Sequence, residues 1–331
     1  MTTNNETPAL VNLASPKMGT KIISVSDEFF GEATRMLNDK EPEFIEDKYD
    51  NHGKWMDGWE SKRRRDGGND WAIIKLGSPG IISKVEVDTS YFTGNFPPFF
   101  SLEGTDSQEI PTNENEWVSL IPKSSLIGDQ KNNFNIETKI KLNYVRLQIF
   151  PDGGVARLRL FGEVRYDWSK FKNNELIELS SLNLGGSIIT FNNAHYGDVS
   201  ALLSEGRGKT MGDGWETRRR REPGNDWIII KLAKKAIVKS IEIDTAHFKG
   251  NFPDQASIQA TSNSKTINVK NIIDNSEKWD FILNKTKLKA DNVHKFSLDL
   301  NSQKEATHIR LNIYPDGGVS RLRIFGIRSD D

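Results

Sequence analysis

The 331-residue sequence contains no cysteine. This absence excludes disulfide bonds, thiolate catalysis and cysteine–zinc sites together, and it suits a reducing cytosol. No apolar run approaches the roughly 20 residues that a membrane-spanning helix needs. The opening MTTNNETPAL lacks the basic and apolar regions of a secretory signal. We therefore expect a cytoplasmic protein that does not span a membrane.

The chain also lacks an excess of either positive or negative charge. Lys and Arg number 45 against 46 Asp and Glu, which gives a net charge of −1. A chain without an overall field has nothing to attract nucleic acid or an anionic membrane, so we predict neither as a partner. The hydrophobic share of 36% and the charged share of 27% are typical of globular chains, and the length predicts two domains.

Motifs of several enzyme classes are missing. There is no G-x-S-x-G, no P-loop and no G-x-G-x-x-G between a strand and a helix, so a serine hydrolase, an NTPase or a Rossmann enzyme has no support. The five histidines form no H-x-H or H-E-x-x-H pair. We predict no metal site and no cofactor, and leave open a divalent metal held by residues distant in sequence.

What the sequence does contain is a long internal repeat. Residues 57–76, DGWESKRRRDGGNDWAIIKL, return as residues 213–232, DGWETRRRREPGNDWIIIKL, with fifteen of twenty positions identical. A period of this length indicates tandem domains rather than a solenoid. We predict one domain over residues 1–167 and a second over residues 168–331, with about ten extra residues around 41–50 in the first copy.

The pattern within each copy predicts β-structure. Apolar and polar residues alternate over residues 85–88 and 145–149, which is the period of half-buried strands. Residues 71–76 and 227–232 are apolar runs typical of central strands. No long amphipathic helix and no strand–helix alternation is present. The expected fold class is all-β, with two tandem β-sandwich domains of jelly-roll type.

Two carboxylates open each copy of the repeated block. Asp57 and Glu60 recur as Asp213 and Glu216. Carboxylates near one turn can divide acid and base roles when their surroundings separate their pKa values, so we predict all four as catalytic. In the structural alternative, Asp57 caps a turn and Glu60 pairs with an arginine.

Basic runs follow these carboxylates at residues 62–65 and 218–221. Acids on both sides of each run cancel most of its field, which disfavours a nucleic-acid patch. A guanidinium can bind a carboxylate through two parallel hydrogen bonds. We predict that the substrate-binding arginines are Arg63, Arg64, Arg219 and Arg220, and the alternative is ion pairing within each sandwich.

Loops at strand ends supply further candidates, because binding residues of sandwiches lie there. The predicted substrate-binding residues in these loops are Asp88, Asn95, Asp244, His247 and Asn251. Tyr91 stands where the second copy has His247, so the two copies differ at this point. Asn69 and Asp70 are predicted to close a tight loop by bonding to local backbone.

Three blocks, each present twice, closely resemble the allantoicase family. They are DGWE-x-x-RRR, D-T-[AS]-[YH]-F-x-G-N-F-P and [FY]-P-D-G-G-V-[AS]-R-L-R-[LI]-F-G. The resemblance covers nearly the whole chain in a two-repeat layout. The last block is also similar to the final strands of galactose-binding-like, discoidin-type sandwiches.

The resemblance implies a hydrolase acting on C–N bonds of linear amidines, allantoate amidinohydrolase. Such an enzyme converts allantoate to (S)-ureidoglycolate and urea in allantoin degradation, a part of purine metabolism. Arginine would hold the substrate carboxylate, and Asp or Glu would act as acid and base. The sequence leaves a homo-oligomer open. The second hypothesis is a non-catalytic tandem module that binds a ligand or carbohydrate, which the fold alone would permit.

Overall fold

The computed structural model describes residues 10–262 and 269–329 of the chain. These residues form two compact units, of which one spans Leu10–Tyr166 and the other begins at Asp167. Each unit is an antiparallel β-sandwich on the same plan, which confirms the predicted all-β, jelly-roll class. Within the described ranges, no helix is long and apolar enough to cross a membrane.

The regular structure of the first unit consists mainly of strands. In chain order they are β1 (Val11–Asn12), β2 (Lys21–Val25), β3 (Tyr49–Asp50), β4 (Gly53–Lys54), β5 (Trp59–Glu60), β6 (Asp70–Asp88), β7 (Phe99–Thr105), β8 (Val118–Ser125), β9 (Lys131–Asn135), β10 (Leu142–Phe150), β11 (Gly154–Val155) and β12 (Arg157–Val164). Short 3-10 helices span Pro16–Met18, Ala33–Leu37 and Glu114–Glu116.

Both layers of the first unit meet on strand β6. Its first half pairs with β10 and β2, and its second half pairs with β12 and β9. Strands β7 and β8 extend the first layer, and β1 flanks β12 in the other. The sequence predicted separate strands at residues 71–76 and 85–88. They form one strand because residues 77–80 stay extended and carry the chain from one layer to the other.

The core lies between the two layers. Along the first half of β6 every second residue is buried, as the period of a strand requires: Ala72, Ile74 and Leu76. At the end of the strand, residues 85–88 are all buried, which differs from the predicted half-buried strand. Glu86 is buried opposite Arg159, whose Nε lies 3.5 Å from Oε1, and Asp88 is buried where it accepts two hydrogen bonds from Ser90. These partners offset the cost of burying the charges.

The second unit repeats this plan. Its strands are β13 (Ile177–Glu178), β14 (Ser187–Phe191), β15 (Trp215–Glu216), β16 (Asp226–Asp244), β17 (Gln255–Thr261), β18 (Asp280–Lys287), β19 (Val293–Ser297), β20 (Glu305–Tyr314), β21 (Gly318–Val319) and β22 (Arg321–Arg328). One α-helix, α1, spans Val269–Ser276, and 3-10 helices span Trp168–Lys170, Leu182–Leu184 and Val199–Leu203. Strand β16 joins the layers as β6 does, pairing with β20 and β14 and then with β22 and β19.

Candidate active site

Glu60 lies in a small two-stranded sheet at the end of the first sandwich. Strand β5 pairs with β11, which sets Glu60 opposite Gly154, next to the turn at Gly153. Gly153 has φ of +137°, and a Cβ there would lie 2.7 Å from the carbonyl oxygen of Asn95. Only glycine fits this close approach without strain. The Gly154 N–H donates to that same carbonyl at 2.7 Å, so the turn holds the Asn95 loop in place.

Asn95 and Glu60 are in direct contact. The Asn95 Nδ2 donates to Glu60 Oε1 at 2.7 Å. Both residues line a cavity of about 580 Å³, together with Arg63, Phe30 and Phe96. Burial raises the pKa of the Glu60 carboxyl above its ordinary value, and the Asn95 hydrogen bond offsets part of that rise. A carboxyl with a raised pKa is a better proton acceptor than an ordinary carboxylate and keeps its proton to higher pH, which suits acid–base catalysis.

The two predicted arginines of this run differ in how they are engaged. Arg64 donates to Asp66 through Nε at 2.9 Å and Nη2 at 3.1 Å, and to Asp70 Oδ1 through Nη1 at 2.7 Å. The Arg64 guanidinium lowers the pKa of Asp66 to about 2. The Arg63 guanidinium has no hydrogen bond or ion pair with any residue that the structure describes. Arg63 is therefore the lining cation that is available for a ligand carboxylate.

The second unit contains the same cluster. Glu216 lies opposite Gly318 in the β15–β21 sheet, and Asn251 Nδ2 donates to its Oε1. Arg220 is paired with Asp226 at 2.6 Å, as Arg64 is with Asp70. The Arg219 guanidinium is without a hydrogen bond or ion pair in residues 10–262 and 269–329. The carboxylate–amide contact and the paired second arginine are thus properties of each repeat.

Asp57 and Asp213 are placed elsewhere. Asp57 Oδ2 accepts from Arg157 Nη2 at 2.6 Å, and the Arg157 side chain is fully buried. Asp213 Oδ2 accepts from Arg321 Nη2 at 3.0 Å. Asp57 does not line the Glu60 cavity. Asp57 and Glu60 do not act together as expected, because Asp57 precedes β5 and its carboxylate is held by Arg157, whereas Glu60 lies in β5 and meets Asn95.

Of the predicted substrate-binding residues in the strand-end loops, two contact the glutamates and three do not. Asn95 and Asn251 reach the glutamates, as described above. Asp88 and Asp244 are buried and accept hydrogen bonds from the turns that follow them, at Ser90 and Ala246. His247 has φ of +69°, and its Nε2 lies 2.6 Å from the carbonyl oxygen of Gly208. The structure therefore gives Asp88, Asp244 and His247 local contacts rather than places in the cluster.

Two parts of the cavity were missed in the sequence. Phe30 comes next to Glu60 because its N–H donates to the Glu60 carbonyl at 3.1 Å, a pairing that no motif reveals. Asp152 lines the cavity from the PDGG turn, and its Oδ2 accepts from the Arg64 N–H at 2.7 Å. The PDGG repeat was visible within the third repeated block, but its aspartate was not among the predicted site residues. In the described ranges, no three His, Asp or Glu side chains are grouped so as to hold a metal ion.

Fold and site together define a tandem-repeat β-sandwich protein in which each repeat has a glutamate that accepts from an asparagine, and an arginine that is unpaired among the residues described. Comparison with known proteins then gives the family. A family model described as the allantoicase repeat matches residues 11–165 and 177–329. The chain therefore belongs to the allantoicase family, hydrolases that act on C–N bonds of linear amidines.

Individual relatives agree with this assignment. A probable allantoicase of Rhizobium meliloti is 48% identical over 97% of this chain and 94% of its own length. Probable allantoicase 2 of Burkholderia pseudomallei is 44% identical over 96% of this chain and 94% of its own. The crystal structure of allantoicase from Saccharomyces cerevisiae superposes with a TM-score of 0.81 at 32% identity, covering 96% of this chain and 93% of that one.

Proposed function

We propose that this protein hydrolyses allantoate to (S)-ureidoglycolate and urea, in allantoin degradation, at the Glu60 cavity of the first repeat. The substrate is a carboxylate on a carbon that bears two ureido arms. Its hydrolysis needs a cation for the carboxylate, a proton for the leaving nitrogen and a base for water. The observation that carries the proposal is the Asn95–Glu60 contact in the same cavity as Arg63, whose guanidinium has no partner in the described part of the chain.

Proton transfer through Glu60 accounts for both halves of the reaction. Protonated Glu60 gives its proton to the departing ureido nitrogen, and the C–N bond breaks to release urea. The nitrogen lone pair of the remaining arm forms a carbon–nitrogen double bond that carries positive charge. Water then adds to the carbon, and the Glu60 carboxylate takes its proton. Each such transfer contributes roughly 10²–10⁴-fold, and Glu60 returns to its starting state.

The surrounding residues orient these groups. Arg63 binds the substrate carboxylate through its planar fork. Asn95 holds one oxygen of Glu60, which directs the other toward the substrate. We give Asp57 a positioning role in place of a catalytic one, because its partner Arg157 also donates to the Asp57 carbonyl at 2.8 Å and so holds the segment that leads into β5.

The first repeat is the one to which we assign the proton transfers. Two residues that line the Glu60 cavity, Phe30 and Pro98, are replaced by Tyr196 and Asp254 in the second repeat. Apolar walls weaken solvation of a charged carboxylate and suit a proton donor. We propose that the reaction needs no cofactor, and that it takes place in the cytoplasm.

The test is to incubate the purified protein with allantoate and measure urea together with glyoxylate, the breakdown product of ureidoglycolate. We expect one urea for each allantoate consumed, at the same rate with and without EDTA. Activity that EDTA abolishes and a divalent metal restores would overturn the cofactor-free mechanism. No urea above the blank, with or without added divalent metal, would overturn the proposed function and favour a binding module.

A further inference from the structure

A second cavity adjoins the Glu60 cavity in the first repeat. It measures about 500 Å³, and Arg63 and Arg64 line both cavities. Its other lining residues include Asp27, Arg65 and Asp70. The guanidinium groups of Arg63 and Arg65 have no ion pair or hydrogen bond within the described ranges. The cavity thus combines cations that can take an anion with carboxylates that can accept hydrogen bonds.

Asp70 gives this cavity a buried carboxylate oxygen that can accept a hydrogen bond from a ligand. Its side chain is 2% exposed, and Oδ1 accepts from Ser26 Oγ at 2.8 Å and from Arg64. Oδ2 is buried without a hydrogen-bond partner in the part of the chain that the structure describes. The equivalent Oδ2 of Asp226 is in the same state. A buried acceptor without a donor is costly. In the first repeat Asp70 also lines the second cavity, where a ligand that carries N–H groups can meet it.

Asp27 distinguishes this cavity from its counterpart. Its Oδ1 accepts from the Lys62 N–H at 2.7 Å and from the Phe29 N–H at 3.2 Å. Its Oδ2 lies 3.4 Å from the Lys62 Nζ, and the Lys62 side chain is largely exposed. Burial favours the neutral acid, but the two backbone donors and the Lys62 ammonium outweigh it and hold the pKa of Asp27 below its ordinary value. In the second repeat Asn193 stands here, and its Oδ1 accepts from the Arg218 N–H at 2.9 Å. The backbone contact is therefore kept while the negative charge is lost.

We propose that this second cavity binds the ureido arm that the substrate retains, with Asp27 as the specificity-determining carboxylate. The inference rests on the proposed function. A ureido group offers parallel N–H donors that match carboxylate oxygens. With the substrate carboxylate on Arg63, one arm enters the Glu60 cavity and the other reaches Asp27 and Asp70. Only the arm beside Glu60 is protonated and leaves.

Two consequences follow from this division. The two ureido arms are chemically identical, so placing them in different cavities is what makes one enantiomer of ureidoglycolate the product. When urea leaves, positive charge develops on the nitrogen of the retained arm. The ionised Asp27 stabilises that charge, and a fixed charge of this kind acts most strongly in the transition state.

The test variant is Asp27→Asn, which copies the second repeat. We expect kcat/KM for allantoate to fall by about 100-fold and the enantiomeric excess of ureidoglycolate, measured by chiral chromatography before it decays, to fall as well. Tm changes little, because asparagine keeps the backbone hydrogen bond as Asn193 does and only the exposed ion pair with Lys62 is lost. The matched control is Asn193→Asp, outside the proposed site, which leaves rate and enantiomeric excess as in the wild type. Unchanged rate and enantiomeric excess in Asp27→Asn would overturn the proposal.

A binding measurement separates this inference from the proposed function. N-carbamoylglycine, a carboxylate with a single ureido arm, is titrated into the wild type and into Asp27→Asn by calorimetry. We expect binding to the wild type and an affinity at least about tenfold lower in the variant, the loss of one charge-assisted contact. If the wild type releases no urea but this difference holds, the proposed function fails and the ureido site stands. Equal affinity, or no binding to either protein, would overturn the ureido site.

Discussion

Arg63 and Arg64 are adjacent in the chain, yet their guanidinium groups are engaged in different ways. Arg64 neutralises the buried Asp70, whereas Arg63 lines a cavity and has no hydrogen bond or ion pair with residues 10–262 or 269–329. We predict that Arg63→Ala raises KM for allantoate at least about tenfold with little change in Tm. Arg64→Ala leaves Asp70 buried and uncompensated, and it lowers the free energy of unfolding by about 3 kcal/mol.

Steady-state kinetics and guanidinium chloride unfolding of both variants measure this difference. The assignment fails if Arg63→Ala binds substrate as the wild type does. It fails equally if Arg64→Ala is as stable as the wild type.

The contact between Asn95 and Glu60 has a consequence for pH dependence. Glu60 must be protonated to release urea, so the rate falls as the pH rises through its pKa. The Asn95 hydrogen bond lowers that pKa against the effect of burial. We predict that Asn95→Ala moves the alkaline limb of the kcat–pH profile to higher pH, because the charged form loses its donor. A limb that stays in place, or moves to lower pH, would contradict the role given to Glu60.

Single residues also show where sequence reasoning ends. The repeated block identified Glu60, Arg63 and Asn95, since acids, arginines and amides at fixed spacing suit a small anionic substrate. It could not separate Glu60 from Asp57. The difference is made by Arg157, which is buried and lies 100 positions further along the chain. Local sequence shows which charges are present but not which partner each one meets.

Strand β6 is a case in which the elements themselves were only partly predictable. Its two apolar stretches were recognised, but the Ser78-Pro79-Gly80 segment between them has the composition of a turn. In the fold this segment stays extended and takes β6 from one layer to the other. The change of layer also buries Glu86 and Asp88. The alternation of apolar and polar residues predicted that these two side chains would be exposed, and this prediction was wrong.

Strand β20 carries a histidine that makes the second repeat sensitive to acid. Burial, with the nearby Lys231, lowers the pKa of His308 to about 4, whereas an unfolded histidine titrates near 6.5. The unfolded state thus binds the proton more tightly between these values. Stability from this group is present above about pH 6.5 and is lost as the pH falls toward about 4, by up to about 3 kcal/mol.

The first repeat supplies the variant that tests this. Tyr144 occupies the same position on β10 and is buried there. We predict that His308→Tyr flattens the loss of unfolding free energy between about pH 6.5 and pH 4, while the reciprocal Tyr144→His steepens it. Chemical unfolding at a series of pH values measures both. An identical pH dependence in His308→Tyr and the wild type would contradict the account.

Across the whole molecule, the tandem repeat was readable from the sequence, because long blocks recur at nearly constant offsets. What the repeat could not show is which copy carries out the chemistry. Glu60 and Glu216 lie in almost identical blocks and make the same contact with an asparagine. The copies diverge in residues that reach the site from elsewhere in the fold, such as Phe30 against Tyr196 and Asp27 against Asn193.

Urea release from allantoate by Glu60→Gln and Glu216→Gln, each made alone, tests the central claim most directly. Glutamine keeps the oxygen that accepts from asparagine and removes only the proton chemistry. We predict that Glu60→Gln lowers kcat at least about 100-fold, whereas Glu216→Gln stays within about threefold of the wild type, with both variants folded. Full activity in Glu60→Gln, or an equally large loss in Glu216→Gln, would contradict proton transfer by the first repeat.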